Sequence, residues 1–511
     1  MSGTIGLIYL SELRVALSSL AFHLLSEMIE EYGANVHKVS MEKGEIKNWN
    51  SKTFYPGKYT ALFISVPYEL MYKDFSYFLY RTGIPFFSKA RNNEPILVLG
   101  GPAVTGNPLP IAPIADAIII GEAEEVMEKI LDVVNSDYDR SSKLKKLSEI
   151  KGILVWEAND KVERVFTKNI NNSFYPIEQD IPKDIEPIWG RAFLMEVSRG
   201  CSRSCLFCME GRIFKPVRYK YLDSISQILS KVIVDKELYR KITLYSLSFF
   251  DHPQSDSILE YLTSNGLTAS IPSVRVDTLN DKRLELIKEL GQKTLTLAPE
   301  TGSTRLSKAL RKEIYASQVE QVVESALNIG LRQFKLYLMT GFYNESQANI
   351  RDTLKMVSKI GEMIKAKGGR LKISLNPLIP KPFTPFQWHG FPDVGKLRRN
   401  IQLMRRMFGA KVSSFSFLDP RIARLQTILS RGGPELSKAI ALWGQTEGFL
   451  SSWRSISQRQ DLRENQYLSF WDPDYTPLWH EYIIDPFNRP TLLRDLYVAF
   501  LEFQNKLPEN S

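Results

Sequence analysis

The chain has 511 residues, enough for two or three domains, and its 43% hydrophobic and 24% charged content excludes a disordered or fibrous protein. No signal-peptide pattern opens the sequence and no apolar run is long enough to cross a bilayer, so we expect a cytoplasmic protein. The net charge of +9 favours an anionic partner, either nucleic acid or a lipid headgroup surface, but a generally basic proteome would explain it as well.

Residues 1–150 alternate short apolar strands with amphipathic stretches. Strands are predicted at residues 4–10, 35–39, 61–66, 96–99 and 117–120, and the first long helix at residues 20–31. This alternation predicts an α/β fold of the Rossmann-like, doubly wound kind, whose ligands bind beyond the carboxyl ends of parallel strands. At two of those ends stand Gly100-Gly101 and Gly121-Glu122, where glycine lets a backbone approach a ligand closely or merely forms a turn.

A connecting region follows this first domain. Residues 136–150 are predicted to be a polar linker rich in Lys and Ser. Residues 151–190 are predicted to hold a small hairpin, formed by residues 152–156 and 163–166, and prolines that keep the approach to the next domain extended.

Residues 191–390 contain six predicted strands that alternate with helices. The strands are placed at residues 193–198, 242–247, 269–274, 294–297, 333–338 and 372–375. Six such units predict a partial (β/α)6 barrel of the TIM type, whose chemistry belongs at the carboxyl ends of the strands. Polar residues and glycines cluster at those ends: Asp251, His252, Arg275, Asp277, Glu300, Thr301, Gly302, Gly341 and Glu345.

The three cysteines of the chain, Cys201, Cys205 and Cys208, lie in one loop after the first barrel strand with the spacing C-x3-C-x2-C. A [4Fe-4S] cluster with one open iron needs three thiolates in such an arrangement. A structural zinc site needs a fourth ligand, and the nearest histidine in sequence, His252, is far along the chain. Buried cysteines acting as small apolar side chains would explain one of the three but not their clustering.

This cysteine spacing, with Phe207 before the last cysteine, resembles the radical S-adenosylmethionine (radical SAM) enzymes. In that family the open iron binds SAM, and reductive cleavage of SAM yields a 5'-deoxyadenosyl radical that abstracts hydrogen. Residues 298–302, 335–341 and 376–388 resemble further motifs of the family. The resemblance implies the three cysteines as metal ligands and, as SAM-binding residues, Phe207, Ser246, Ser248, Arg275, Glu300, Gly302 and Gly341. The alternative for Glu300 is a structural ion pair with Arg275 or Arg305.

The first domain resembles the cobalamin-binding domain found ahead of many radical SAM domains. The residues that carry this resemblance are Asp116 and the two glycine segments, which implies Gly100, Gly101, Gly121 and Glu122 as cobalamin-binding residues. The chain lacks the Asp-x-His-x-x-Gly motif that supplies a lower axial ligand. If cobalamin binds, no imidazole from that motif ligates it, and a degenerate domain that binds nothing is the alternative.

Residues 391–511 are predicted to be a mainly helical C-terminal region. Its first part is rich in basic residues, namely Lys396, Arg398, Arg399, Arg405, Arg406, Lys411, Arg421 and Arg424. A solvated helix face is the ordinary explanation of such charge. The alternative is docking on a phosphate-bearing surface, where each basic side chain near an anionic membrane contributes about 1 kcal/mol.

The cysteine count also argues against a methylthiotransferase reaction. Methylthiotransferases hold auxiliary clusters with additional cysteines, and this chain has only three. The overall layout resembles archaeal ring synthases of glycerol dialkyl glycerol tetraether (GDGT) lipids. That resemblance implies an enzyme that joins unactivated carbons into cyclopentane rings, with a lipid substrate, peripheral membrane association and an unidentified reducing electron donor. A nucleic-acid partner is less favoured.

The alternatives are a cobalamin-dependent radical SAM methylase acting on RNA, a peptide or a small metabolite, and a non-enzymatic iron-sulfur or cobalamin sensor. No radical-quenching residue is predicted.

Overall fold

The computed structural model describes residues 3–42, 44–49, 54–235, 240–446 and 449–506. The chain forms two compact units. The first unit consists of Met1–Arg191, Ile428–Tyr467 and Tyr475–Pro490, and the second of Ala192–Thr427, Leu468–Asp474 and Thr491–Ser511. The C-terminal region, predicted as one segment, therefore contributes to both units.

The first unit is built on a seven-stranded sheet. Its elements, with one further short strand β8, are β1 (Thr4–Tyr9), β2 (Asn35–Glu42), β3 (Glu45–Asn48), β4 (Ala61–Ser65), β5 (Ile96–Gly100), β6 (Ala117–Ile119), β7 (Ile153–Leu154) and β8 (Val162–Glu163). The sheet order is β3-β2-β1-β4-β5-β6-β7, with β1, β2, β4, β5 and β6 parallel and the two edge strands antiparallel. This is the flavodoxin-like order, whose switch point lies between the carboxyl ends of β1 and β4. The predicted doubly wound sheet is confirmed.

Helices cover this sheet and bury its apolar side chains. They are Leu13–Ala16, Leu20–Glu31, Tyr72–Thr82, Pro102–Gly106, Met127–Val134 and Arg140–Ser148, followed in the C-terminal segments by Ser437–Gly444, Leu450–Arg459, Asn465–Leu468 and Trp479–Tyr482. The core contains, among others, Ile5, Phe63, Val98 and Ile130, each at most 3% exposed. Strands that are apolar on both faces are thus explained by helices on both faces.

Two predictions for the connecting region are wrong. Part of the predicted linker is the helix Arg140–Ser148, because Asp139 accepts a hydrogen bond from the backbone of Ser142 and Leu147 is fully buried. The predicted hairpin does not form, because its two halves pair elsewhere. Strand β7 pairs with β6, whereas β8 pairs with Ile483–Ile484.

The second unit contains an open arc of parallel strands. Its strands are β9 (Phe193–Glu196), β10 (Ser198–Arg199), β11 (Arg218–Tyr219), β12 (Lys241–Tyr245), β13 (Thr268–Ser270), β14 (Thr294–Glu300), β15 (Gln333–Thr340), β16 (Arg370–Pro377) and β17 (Ser414–Phe417). One sheet has the order β9-β12-β13 and the other β14-β15-β16-β17, and a parallel bridge between Val274 and Leu297 joins them. The predicted partial barrel is confirmed.

The arc carries three short strands that the sequence did not predict. Strand β17 adds a seventh parallel strand at its open edge, and β10 and β11 form a two-stranded antiparallel ribbon. The alternation of Ser and Phe in Ser414–Phe417 was the available signal for β17, but it lies in a region predicted to be helical.

Helices connect the strands of the arc and complete this unit. They are Glu210–Ile213, Leu222–Asp235, Ser255–Ser264, Asp281–Glu289, Thr304–Ala309, Ala316–Asn328, Gln347–Ala366, Val394–Phe408, Pro420–Arg431 and Pro490–Lys506. The last of these packs on an apolar cluster that includes Leu206, Phe386, Trp388 and Tyr497. Among the helices in the described parts of the chain, none has the length and apolar character needed to cross a membrane.

Candidate cofactor site

The three cysteines lie in the loop between β10 and the short helix Glu210–Ile213, at the carboxyl end of the first barrel strand. Gly200 begins the loop with a φ of +82°, and a Cβ there would stand 2.6 Å from the carbonyl oxygen of Phe214. Only glycine fits this turn. The sequence therefore places all three thiols at the end of the barrel where radical SAM chemistry was predicted.

Each sulfur has a nearby N–H donor. The backbone of Arg203 donates to Cys201 Sγ at 3.4 Å, the backbone of Gly211 donates to Cys208 Sγ at 3.3 Å, and the Arg275 guanidinium lies 3.8 Å from Cys205 Sγ. Burial raises the pKa of Cys201, and it raises that of Cys208 to about 12. A bound metal cluster would favour the ionised form of Cys201 and Cys208 against this burial, and the surrounding N–H donors suit thiolates. This donor set fits a three-cysteine cluster.

The zinc alternative does not gain a fourth ligand from His252. Its Nε2 lies 3.1 Å from the carbonyl oxygen of Lys220, and its Nδ1 accepts a hydrogen bond from the backbone of Gln254 at 2.9 Å. Both ring nitrogens are thus engaged within the fold. His252, predicted among the strand-end residues, is a structural residue.

A polar network links the cysteine loop to the end of β12. The Arg203 guanidinium makes a two-pronged ion pair with Asp251 at 2.7 and 2.5 Å, and Asp251 also accepts a hydrogen bond from Ser248 at 2.7 Å. Burial alone would raise the pKa of Asp251, but Arg203 and Ser248 lower it overall. Ser246 lies 2.6 Å from the Ser198 hydroxyl and accepts from the backbone of Ser248. The two predicted serines are thus brought together beside the loop.

Glu300 has a partner that the sequence did not predict. Lys312 Nζ lies 3.0 Å from Glu300 Oε1, and each side chain is 10% exposed. The backbone oxygen of Lys312 accepts from Arg275 at 2.7 Å, and its ammonium lies 5.8 Å from the centre of the Phe207 ring. Burial lowers the pKa of Lys312, but Glu300 and Cys205 outweigh burial and raise it overall. The predicted structural pairs of Glu300 with Arg275 or Arg305 are wrong.

The backbone of Glu300 is also unusual. Its φ is +66°, and the pairing of β14 with β15 shifts register between Leu297 and Glu300. A bulge re-aims a side chain, and a left-handed non-glycine residue is held only where surrounding contacts impose it. Lys312 supplies such a contact, and no spacing pattern in the sequence would have found it.

Two predicted glycines serve packing within the barrel. A Cβ on Gly302 would stand 2.7 Å from the backbone of Thr353, whose hydroxyl accepts from the Gly302 N–H at 2.9 Å. Gly341, with a φ of +96°, donates to Glu345 at 2.7 Å. Both glycines lie at strand ends as predicted, but the contacts described are with other residues of the same chain.

The predicted cobalamin residues lie at the carboxyl ends of β5 and β6. A Cβ on Gly101 would stand 2.7 Å from Val66 O, and one on Gly121 2.0 Å from Val165 O. Glu122 accepts from the Thr167 backbone at 2.9 Å. At Gly100 a Cβ would meet only ordinary contacts, at 3.8 Å and beyond. The sheet topology fits a ligand at this edge, whereas Gly101 and Gly121 are already in close contact with the chain's own backbone.

Asp116, part of the same resemblance, lies at the opposite edge of the sheet. It precedes β6, where its carboxylate accepts from the Leu97 backbone at 2.8 Å and pairs with Arg91 and Arg140 at 2.9 and 2.5 Å. It therefore stabilises the amino-terminal edge. His23 and His37 of this unit likewise have partners, His23 with Leu17 O at 3.1 Å and His37 with the Tyr59 hydroxyl at 3.2 Å.

Comparison with known sequences agrees with this geometry. A family described as "Radical SAM superfamily" matches residues 195–357, and one described as "Radical SAM proteins, N-terminal" matches residues 37–155. The uncharacterized protein MJ0966 of Methanocaldococcus jannaschii is 31% identical over 443 residues, which are 86% of this chain and 90% of that protein.

Solved structures show the same fold over most of the chain. TsrM, a radical S-adenosylmethionine methyltransferase from Kitasatospora setae with cobalamin and a [4Fe-4S] cluster bound, has a TM-score of 0.56 and 10% identity, covering 90% of this chain and 99% of TsrM. OxsB, a cobalamin-dependent S-adenosylmethionine radical enzyme with aqua-cobalamin and S-adenosylmethionine bound, has a TM-score of 0.54 and 14% identity, covering 99% of this chain and 80% of OxsB. The family match over the barrel that carries the three-cysteine loop, together with the near-full-length relative, shows that the chain belongs to the radical SAM superfamily and is an enzyme of that class.

Proposed function

We propose that this protein is a cobalamin-dependent radical SAM methylase. The observation that carries the proposal is the likeness in fold to TsrM, which extends over 90% of this chain and so includes the flavodoxin-like sheet as well as the barrel. Methylation was the alternative in the sequence analysis. It agrees with a chain that holds three cysteines and so lacks thiols for an auxiliary cluster.

The residues that would hold the iron-sulfur cluster and SAM belong to the second unit. Cys201, Cys205 and Cys208 would ligate the [4Fe-4S] cluster of a radical SAM enzyme. Beside them, Ser246, Ser248, Arg275 and Glu300 would contact SAM. When bound, these cofactors supply the methyl group and the one-electron chemistry, whereas the chain binds, orients and excludes water. Arg203 lies in the cysteine loop, and its ion pair with Asp251 anchors that loop to the end of β12.

Cobalamin would bind at the carboxyl edge of the sheet in the first unit, near the switch point between β1 and β4. Gly100 is the predicted residue there whose Cβ position is free of close contacts. His23 and His37 are engaged within the fold, so neither is expected to ligate cobalt from below. Gly101, Gly121 and Glu122 would act by shaping this edge.

The lipid-ring hypothesis gains no support from the relatives and solved structures described above, none of which is named for a lipid substrate. The lipid partner and the peripheral membrane association that belong to this hypothesis therefore rest only on the basic residues of the C-terminal region. The sensor alternative is wrong, because the chain belongs to an enzyme superfamily.

The test is anaerobic turnover of reconstituted protein with cobalamin, a strong reductant and SAM carrying a trideuterated methyl group, using an extract of substrate candidates. We expect mass spectrometry to find a product that gains one labelled methyl group. Cys205→Ala should remove iron and turnover together, whereas Ser204→Ala, an exposed neighbour in the same loop, should retain both. A product that instead loses two hydrogens without gaining label would contradict methylation and restore ring formation.

A further inference from the structure

One helix of the second unit presents a row of basic side chains to solvent. Lys396, Arg398, Arg399, Arg405 and Arg406 are all exposed on the helix Val394–Phe408. Among the contacts of the described residues, no hydrogen bond or ion pair involves the side chain of any of these five. We call these five residues the basic row.

Helix stability does not explain the first three cations of the basic row, Lys396, Arg398 and Arg399. No Asp or Glu occurs between Asp393 and Asp419, so no i,i+4 ion pair can form within the helix. Lys396 and Arg399 are like charges one turn apart, which destabilises a helix. Lys396 in the first turn also opposes the helix dipole, whereas Arg405 and Arg406 in the last turn suit it. An anion from outside the chain would relieve the repulsion.

The chemistry of the row favours a polyanion with a phosphate backbone over a membrane surface. Leu397, Ile401 and Phe408 on the apolar face of the helix are buried in the protein, and the single exposed Met407 is too small an apolar surface to insert the helix into a bilayer. Four of the five cations are Arg, whose planar guanidinium binds phosphate with two parallel hydrogen bonds. The five cations extend over residues 396–406, about 15 Å of the helix axis, on its exposed half, a length that suits consecutive phosphates of a polyanion.

The row begins at the rim of the candidate site. Pro392 and Leu397, at the start of the helix, lie 3.1 Å from the point where a Cβ on Gly341 would stand. Gly341 directly follows β15, whose carboxyl end belongs to the barrel edge that carries the cofactor residues. A polyanion on the row would therefore reach that edge.

We propose that the basic row binds the phosphate backbone of a nucleic-acid strand and leads that strand toward the cofactor site. Binding itself is independent of the reaction. The further step, that the bound strand is the methyl acceptor, rests on the proposed function.

The test measures binding of the full-length protein to fluorescein-labelled single-stranded RNA and to DNA of the same sequence by fluorescence anisotropy, without turnover. We compare the triple variant Arg399→Gln/Arg405→Gln/Arg406→Gln with the control Lys282→Gln/Lys359→Gln/Arg494→Gln. The control removes the same charge from three exposed cations that have ion-pair partners. We expect the first triple to weaken binding at least about tenfold and to reduce the salt slope by about 2, roughly 0.7 for each phosphate that is no longer neutralised. The control should stay within about twofold of wild type, because it leaves the basic row intact.

A second measurement does not depend on any variant folding. Phenylglyoxal modifies accessible arginines, and RNA should protect Arg399, Arg405 and Arg406 of the wild-type protein, whereas Arg494 should stay reactive. Equal loss of binding in the two triples, no protection of the row, or binding to phosphatidylglycerol vesicles but to neither nucleic acid would overturn the proposal. RNA that binds the row but is never methylated would contradict the methyl-acceptor step and leave the binding surface intact.

Discussion

A buried ammonium holds the polar residues beside the cysteine loop in one arrangement. Lys312 pairs with Glu300, accepts from Arg275 through its backbone oxygen and lies over Phe207, so it contacts three of the predicted SAM-binding residues. Burying one charge without its partner is costly, whereas a neutral pair of similar shape is tolerated. Lys312 is therefore a positioning residue of the site.

The first prediction concerns this pair. We expect Lys312→Met to lower the free energy of unfolding by about 3 kcal/mol, because it leaves the Glu300 carboxylate buried alone. The double variant Lys312→Met/Glu300→Gln should recover most of that loss. Urea unfolding of the single and double variants provides the measurement, and equal stability of the two would show that the pair is not coupled.

A second residue-scale prediction concerns pH. Burial lowers the pKa of His23 to about 4, although its hydrogen bond to Leu17 O acts in the opposite direction. The unfolded chain takes up this proton below pH 6.5 and the folded chain does not, so stability falls as the pH drops from about 6.5 to about 4, by at most about 3 kcal/mol.

The variant that tests this is His23→Gln, whose amide can still donate to Leu17 O but does not titrate. Between pH 7 and 4, we expect it to lose less stability than wild type. Asp74 is the control with the opposite sign, because burial raises its pKa to about 6. Asp74→Asn should remove a gain in stability on acidification, and identical pH profiles for all three proteins would refute both assignments.

At the scale of elements, the strand ends of the first unit show why glycine occurs there. Gly101 and Gly121 have φ values of +122° and +119°, and each lies against the backbone of a neighbouring segment. Gly100 has ordinary surroundings. Glycine after a strand therefore has two explanations in this unit. Gly100 leaves room for a ligand, whereas the fold itself requires Gly101 and Gly121.

This difference predicts two distinct results for the same substitution. Gly121→Ala should cost about 3 kcal/mol, because its Cβ would stand 2.0 Å from Val165 O at a left-handed φ. Gly100→Ala should change stability by less than about 1 kcal/mol, since an added methyl there meets no close contact. Thermal unfolding measures both, and cobalamin titration of the folded Gly100→Ala protein then reports on the cofactor edge. A harmless Gly121→Ala would mean that Gly121 does not lie against Val165 as described.

At the scale of the whole chain, segments far apart in sequence complete one unit. The helix Ser437–Gly444 packs on Tyr72–Thr82, where the Ser76 hydroxyl donates to Ala441 O at 3.1 Å and a Cβ on Gly444 would stand 2.4 Å from the Ser76 backbone. The buried ion pair of Arg164 with Asp485, at 2.8 Å, joins another distant pair of segments. The first unit is therefore not formed by residues 1–150 alone.

The corresponding prediction is a long-range effect of one methyl group. Gly444→Ala should lower hydrogen-exchange protection in Tyr72–Thr82, because the two helices must separate to accept it. Lys438→Ala, on the exposed face of the same helix, is the matched control and should leave protection unchanged. Unaltered exchange in both variants would contradict the close packing of these helices.

Hydrophobic periodicity and cysteine spacing are local properties, so the alternation of strands and helices, the partial barrel and the three-cysteine loop could be predicted from the order of residues. Three features could be seen only in the folded chain: Lys312 pairs with Glu300, Asp116 stabilises the far edge of the sheet, and β7 and β8 pair with other strands rather than with each other. Those facts depend on which segments meet in space. No pattern in the sequence identifies the partner of a charged side chain or of a short strand, because that partner depends on which segments pack together.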